Sequence, residues 1–216
     1  MKEVLFATGN QSKINRFKQK LEKNDIKLLS LKDLNIDLDI EENGKTAIEN
    51  ALIKARAYYN ELHIPVIGMD DTLYLENVPE EYQPGLYVRR VNGKVLTDEE
   101  MINHYISLVN KYGESGKLYC KWVYGMAVIN ENGKENTYSW SKDDFYIVNI
   151  PSEKRHDGYP LNSISKYKKI DKYFTDVTEE DKESLKVNED HVIDFIVTSI
   201  NNKKNRNRWE KSLWKT

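Results

Sequence analysis

Over its N-terminal third the chain alternates between short unbroken apolar runs and helical periodicity, and this restricts the fold more than any other feature. Val4 to Ala7 reads as a buried strand stopped by Gly9. Ile14, Phe17 and Leu21 then recur at helical spacing, with Asn10 or Ser12 placed to cap the start. Ile26 to Leu31 is a second strand, followed by an acidic, irregular stretch over 32–44. Thr46 and Glu49 have the spacing of a capping box, and Ile48, Ala51, Leu52, Ala55, Tyr59 and Leu62 form the apolar stripe of the helix it opens. Ile64 to Met69 is a third buried strand, ending at Asp70 and Asp71. Strand, helix, strand, helix, strand predicts an α/β fold.

Residues 77–96 carry Pro79, Pro84, Gly85 and Gly93 and read as a long loop. Thr97 and Glu100 make a second capping box, before a helix with Met101, Ile102, Tyr105, Leu108 and Val109 inward. Leu118 to Ile129 and Thr137 to Ile150 form a hairpin about Asn132-Gly133. A loop spans Pro151 to Asn162; a short helix covers Thr178 to Leu185, and Val192 to Ile200 lies in a longer one. The expectation is one domain over 1–202, then a basic tail over 203–216. With 39% hydrophobic and 11% aromatic residues among 216, such a domain can build a core, which argues against disorder.

Other classes are disfavoured. A net charge of −2 is wrong for a protein held to nucleic acid by bulk electrostatics. No apolar run reaches the ~20 residues of a membrane helix. A lone cysteine, Cys120, cannot form an internal disulfide, and Lys2-Glu3 leading directly into the first strand is no secretory leader. The expectation is a cytoplasmic protein.

Polar residues gather where these elements end. Thr8-Gly9-Asn10-Gln11-Ser12-Lys13 joins a strand to a helix, and free N–H groups at a helix start suit phosphate. Lys13 opposes the helix dipole, which makes sense if an anion binds there; otherwise it is a solvated lysine on an ordinary capped turn. Glu41, Glu42, Asp70 and Asp71 supply hard oxygens suited to Mg²⁺ beside phosphates, or are plain loop and turn charges. Thr46, Asn50 and Lys54 share one helix face. The histidines show no metal-ligand spacing, and no Gly-x-Ser-x-Gly element is present.

Three segments together narrow the field. Ala7-Thr-Gly-Asn-Gln-Ser-Lys13 resembles the opening motif of the inosine/xanthosine triphosphate pyrophosphatase family. Glu42-Asn-Gly-Lys-Thr-Ala-Ile-Glu-Asn-Ala-Leu-Ile-Lys-Ala55 is similar to its second motif, and Asp70-Asp-Thr-Leu73 with Pro84-Gly-Leu-Tyr87 and Arg90 to its third. The resemblance implies a homodimeric α/β protein, with an elongated mixed sheet flanked by helices and a cleft between two lobes. It implies Mg²⁺-dependent cleavage of a nucleoside triphosphate to monophosphate and pyrophosphate. By position, Thr8, Gly9, Asn10, Lys13, Asn50, Lys54, Thr72, Arg90, Tyr159 and Lys182 would contact substrate. Glu42 and Asp71 would hold the metal, and Asp71, aided by Lys13 and Lys54, would be catalytic.

The C-terminal half departs from the family pattern. Asp157-Gly-Tyr-Pro160 stands for Phe-Gly-Tyr-Asp-Pro and lacks the aspartate. Lys182 matches a family lysine, but the following Ser-His-Arg is missing, with Lys186-Val-Asn188 in its place and His191 one helical turn late. Thr72 and Val88 replace smaller or hydroxylic residues. The expectation is intact phosphate and metal handling with a weaker preference for inosine over adenosine or guanosine triphosphate than the family implies, unless His191 or Lys182 has taken over the role. A pyrophosphatase for another modified nucleotide, or an inactive nucleotide-binding protein on the same scaffold, are the rival readings.

Overall fold

The computed structural model describes residues 1–185 and 188–202, so the expected basic tail over 203–216 lies outside the described residues, as do Lys186 and Val187. The strands are β1 (Lys2–Phe6), β2 (Ile26–Leu29), β3 (Val66–Leu75), β4 (Arg90–Val91), β5 (Lys94–Val95), β6 (Lys117–Ile129), β7 (Glu135–Val148) and β8 (Ser165–Tyr167). The α-helices are α1 (Gln11–Glu22), α2 (Ala47–Leu62), α3 (Asp98–Tyr112), α4 (Glu179–Leu185) and α5 (Asp190–Ile200). One six-stranded sheet runs β2-β1-β3-β6-β7-β8. β1 is parallel to β2 and β3, whereas β6, β7 and β8 are antiparallel. This is the expected α/β architecture, a long mixed sheet flanked by helices.

Three apolar clusters fix where the helices lie. Ile14, Phe17 and Leu21 of α1 and Val192 and Ile196 of α5 pack on Phe6, Met69 and Met126. Farther along the sheet, Met101, Ile102 and Tyr105 of α3 pack with Leu73, Leu118 and Phe145. Ala51, Ala55 and Tyr58 of α2 meet Leu5, Val66 and Ala127. Side chains alternate along β3, so Met69 belongs to the α1 cluster and Val66 to the α2 cluster on the opposite face. α2 lies unusually close to the sheet. A Cβ on Gly68 would sit 2.1 Å from the Ala51 carbonyl oxygen, and one on Gly125 2.3 Å from the Ala47 carbonyl carbon.

Several expectations are corrected. β3 does not stop at Asp70-Asp71 but continues to Leu75, because β6 pairs with it throughout, from Val66 opposite Ile129 to Leu75 opposite Cys120. The adjacent carboxylates are carried by the neighbouring strand rather than ending their own. The buried face of α2 is turned toward Ala47, Asn50 and Tyr58, leaving Ile48, Leu52, Tyr59 and Leu62 half-buried. Residues 32–44 are acidic but not featureless: Leu34, Ile36, Leu38 and Ile40 alternate inward as an extended strap packed on the α2 cluster. Thr46 caps Glu49 N at 3.2 Å, yet the Glu49 carboxylate takes Lys45 N at 2.6 Å, one residue short of closing the box. At Thr97 and Glu100 the box is complete. The 77–96 loop contains the β4–β5 ribbon, turned through Asn92 and Gly93 at φ 50° and 79°. The short edge strand β8 had no periodic signal.

Candidate active site

β1 ends beside Ile67, and the chain leaves the sheet there to enter α1. The Thr8–Lys13 turn is therefore set next to the β3 segment that carries Asp70 and Asp71. Thr8 Oγ1 accepts from Asn10 N at 3.1 Å, and Asn10 Oδ1 caps Ser12 N at 2.9 Å. The cap spends both polar side chains on the turn and presents Lys13 to Asp71. Lys13 Nζ lies 2.8 Å from Asp71 Oδ2, with the two side chains 15% and 22% exposed. Burial opposes the charge on Lys13, but Asp71 more than compensates and holds its ammonium above the ordinary lysine value. The other oxygen, Asp71 Oδ1, is buried and takes no donor among the described residues.

Asp70 points to the opposite face, where Asn50 Nδ2 donates to it at 2.9 Å. Asn50 Oδ1 in turn accepts from Gly44 N at 2.8 Å, tying the 41–45 segment to α2. Lys54 Nζ meets Glu42 Oε2 at 2.9 Å. Burial raises the Asp70 carboxyl above its usual range; Lys54, Asn50 and Lys13 only partly offset this, and Glu42 adds to it. Among the described residues no three His, Cys, Asp or Glu side chains converge into a metal cage. The unpartnered Asp71 oxygen on one face, and Asp70 beside Glu42 on the other, are too few to cage an ion; they suit one that keeps water and takes its other ligands from phosphates, the habit of Mg²⁺.

Two cavities meet at Asp70. The larger, about 610 Å³, lies between the α1–α5 and α3 packing groups. Lys13, Arg16 and Asp71 line it, with Trp122 and Tyr124 of β6 and Tyr159 and Lys182 from the C-terminal half. The smaller, about 470 Å³, holds Glu42, Asn50, Asp70 and Arg90. Ser12 Oγ donates to the Asp157 carbonyl at 2.8 Å, fastening the 157–159 turn over the start of α1. Burial pushes the Tyr159 phenol up, and its hydroxyl is buried without a partner among the described residues.

Thus Asn10, Lys13, Asp71, Tyr159 and Lys182 share the larger cavity, and Glu42, Asn50 and Arg90 the smaller. Lys54 lines neither cavity; it stays on the α2 side, pairing with Glu42 and donating to the Met69 carbonyl at 3.5 Å. Thr8 and Gly9 form the turn behind Asn10, and Thr72 is buried and lines neither cavity. His191 does not enter the cleft. It packs edge-on against Tyr138 and Trp140, at centroid distances of 5.9 and 6.4 Å.

One pair in the larger cavity is missed by sequence reasoning. Arg16 Nε donates to both oxygens of Glu189, at 3.1 and 2.9 Å, and Nη2 also meets Oε1. The guanidinium carbon lies 5.0 Å from the Tyr124 ring centroid. Burial alone would raise the Glu189 carboxyl; the bonds from Arg16 reverse this and hold it below its usual range. The available signal was Arg16 standing one turn after Lys13, on the same helix face.

A sequence model of the Ham1 family matches residues 4–188. A protein named dITP/XTP pyrophosphatase from Thermoanaerobacter pseudethanolicus is 32% identical over 184 residues, covering 85% of this chain and 89% of its own. One of the same name from Staphylococcus aureus is 29% identical over 182 residues, covering 84% and 88%. The solved Ham1 protein of S. aureus superposes with a TM-score of 0.64 at 27% identity, over 84% of this chain and 89% of that one. A HAM1 protein from Coxiella burnetii, at 24% identity and TM-score 0.65, covers 85% and 91% and shares the fold.

Proposed function

The chain belongs to the Ham1 family, and from that premise we propose that it is a Mg²⁺-dependent pyrophosphatase that cleaves purine nucleoside triphosphates to monophosphate and pyrophosphate. The relatives named dITP/XTP pyrophosphatase support the reaction class. The observation that carries the proposal is the half-satisfied Asp71 carboxylate at the head of the cleft, bound to Lys13 through one oxygen and buried without a donor among the described residues at the other. A protein that only bound nucleotide would gain nothing from that arrangement, since a buried acceptor without a donor costs about 1–3 kcal/mol.

In this reading the chain's own groups divide the work. Lys13 and Lys54 hold the phosphates from two faces of the sheet, and the capped turn at Asn10 keeps Lys13 in place. Asp71 orients the attacking water and takes its proton. Tyr159 closes the end of the cleft and excludes solvent. Asp71 and Glu42 would hold Mg²⁺, which supplies charge neutralisation at the phosphate oxygens. The site's cytoplasmic setting and a homodimeric assembly belong to the same proposal.

Pyrophosphate release across a panel of nucleoside triphosphates, with Mg²⁺ and with EDTA, tests it. Release that requires the metal is expected. No release from any of them overturns the reading.

A further inference from the structure

Arg16 is an arginine on a cavity wall with only part of its hydrogen-bonding capacity used. One edge of the guanidinium, Nε and Nη2, is spent on Glu189. Among the described residues no carboxylate or carbonyl takes Nη1; the Tyr124 hydroxyl stands beside the guanidinium and interacts with it, the one neighbour besides Glu189 to do so through a hydrogen bond. The remaining donors form the end edge of a rigid planar fork. Glu189 cancels the charge of Arg16, and the rings of Phe17 and Tyr124 flank it at 5.2 and 5.0 Å. A neutralised fork between aromatic rings suits a flat heterocycle better than a phosphate. Another unpartnered polar group in the cavity, the Tyr159 hydroxyl, is close enough to Arg16 to feel its charge.

We propose that Arg16, locked by Glu189, is the base-reading residue of this site and selects purines that carry a 6-keto group. This rests on the pyrophosphatase reading above and adds which side chain sets the substrate. An arginine offers donors only. A 6-ketopurine offers O6 and N7, two acceptors at the spacing of the fork, whereas adenine sets an amino donor against it at position 6. Guanine carries the same O6 and N7 edge as hypoxanthine, so Arg16 separates both from adenine and does not separate them from each other. The role falls to α1 here, at a site whose C-terminal Ser-His-Arg and aspartate are missing.

Calorimetric binding of inosine, guanosine and adenosine monophosphates tests this without relying on hydrolysis. The expected result for the unaltered protein is inosine and guanosine forms bound about 10- to 100-fold more tightly than the adenosine form, the range of one bidentate contact. In Arg16→Met the first two should weaken to within about threefold of adenosine monophosphate, which itself stays nearly unchanged. The inosine-to-guanosine ratio should not move. Arg16→Lys keeps a charge against Glu189 but loses the fork, and it should give the same ranking if the methionine variant does not fold. An equal loss for all three nucleotides, or a preference that survives both substitutions, overturns the assignment. Ranking without pyrophosphate release by the unaltered protein removes the enzyme reading and leaves this one; release without ranking does the reverse.

Discussion

Asp71 meets Lys13 at 2.8 Å through Oδ2 alone, and its Oδ1 is buried with no donor among the described residues. Such an oxygen is costly in a folded protein and useful in a catalyst. Asp71→Asn keeps the shape and removes the base. It is expected to lower turnover at least ~100-fold, the low end of general-base catalysis, with an unchanged circular dichroism spectrum. Near-normal turnover in the folded variant would take Asp71 out of the mechanism.

Lys13 and Lys54 approach the junction from opposite faces of the sheet, each held by a carboxylate at 2.8 and 2.9 Å. Lys13→Ala and Lys54→Ala should each weaken triphosphate binding by about 1.5–3 kcal/mol, the size of a charge-assisted hydrogen bond. Binding of the bare nucleoside should change far less. Equal losses for nucleoside and triphosphate would mean that these lysines do not read phosphate.

Burial raises the Asp70 carboxyl above its ordinary value, so its charge opposes folding. The penalty is absent well below pH 3.8, the ordinary aspartate value, and grows as pH rises through the raised one. It is complete above both. Asp70→Asn should therefore raise the melting temperature at pH 7, by an amount that shrinks as the pH is lowered. Melting curves of both proteins across that range decide it; a gain independent of pH, or a loss at pH 7, contradicts the assignment.

Gly68 and Gly125 let α2 rest on the sheet backbone, where a methyl group would be 2.1 and 2.3 Å from helix atoms. The atoms in the way are main-chain, so they cannot swing aside. Gly125→Ala is expected to cost at least ~2 kcal/mol by overpacking and to displace the first turn of α2, which carries Asn50. Denaturant unfolding should show the loss, with a parallel fall in triphosphate affinity. Unchanged stability would mean that α2 is free to shift.

Much of this was legible because the signals were local. The cap at Asn10, the stripe through Phe17 and Leu21, and the box at Thr97 each sit within a few residues of what they organise. The misreadings have the opposite character. Asp70-Asp71 suggested a strand end because two carboxylates are poor strand residues, yet the pairing that carries them comes from Trp122 to Met126, far along the chain. The strap over 34–40 was obscured by its alternating aspartates, and its inward leucines and isoleucines matter only once α2 is beneath them. Arg16 and Glu189 are separated by 173 positions, and nothing near either residue announces the other.

The continuity of β3 also governs how this molecule can move. The strand passes from Val66 to Leu75 without interruption and stays hydrogen-bonded to β6 on both sides of Asp71. The two walls of the cleft therefore share one stiff beam, with the reacting carboxylate at mid-span. A swing of one wall against the other must bend or twist β3 and β6 at the chemistry itself, with no loose link there to take it up. The short rim segments around Leu86–Arg89 and His156–Tyr159 touch the larger cavity from outside the sheet and can change shape without bending that beam. Stiffening those segments is therefore expected to change how long product lingers more than it changes the alignment of Asp71.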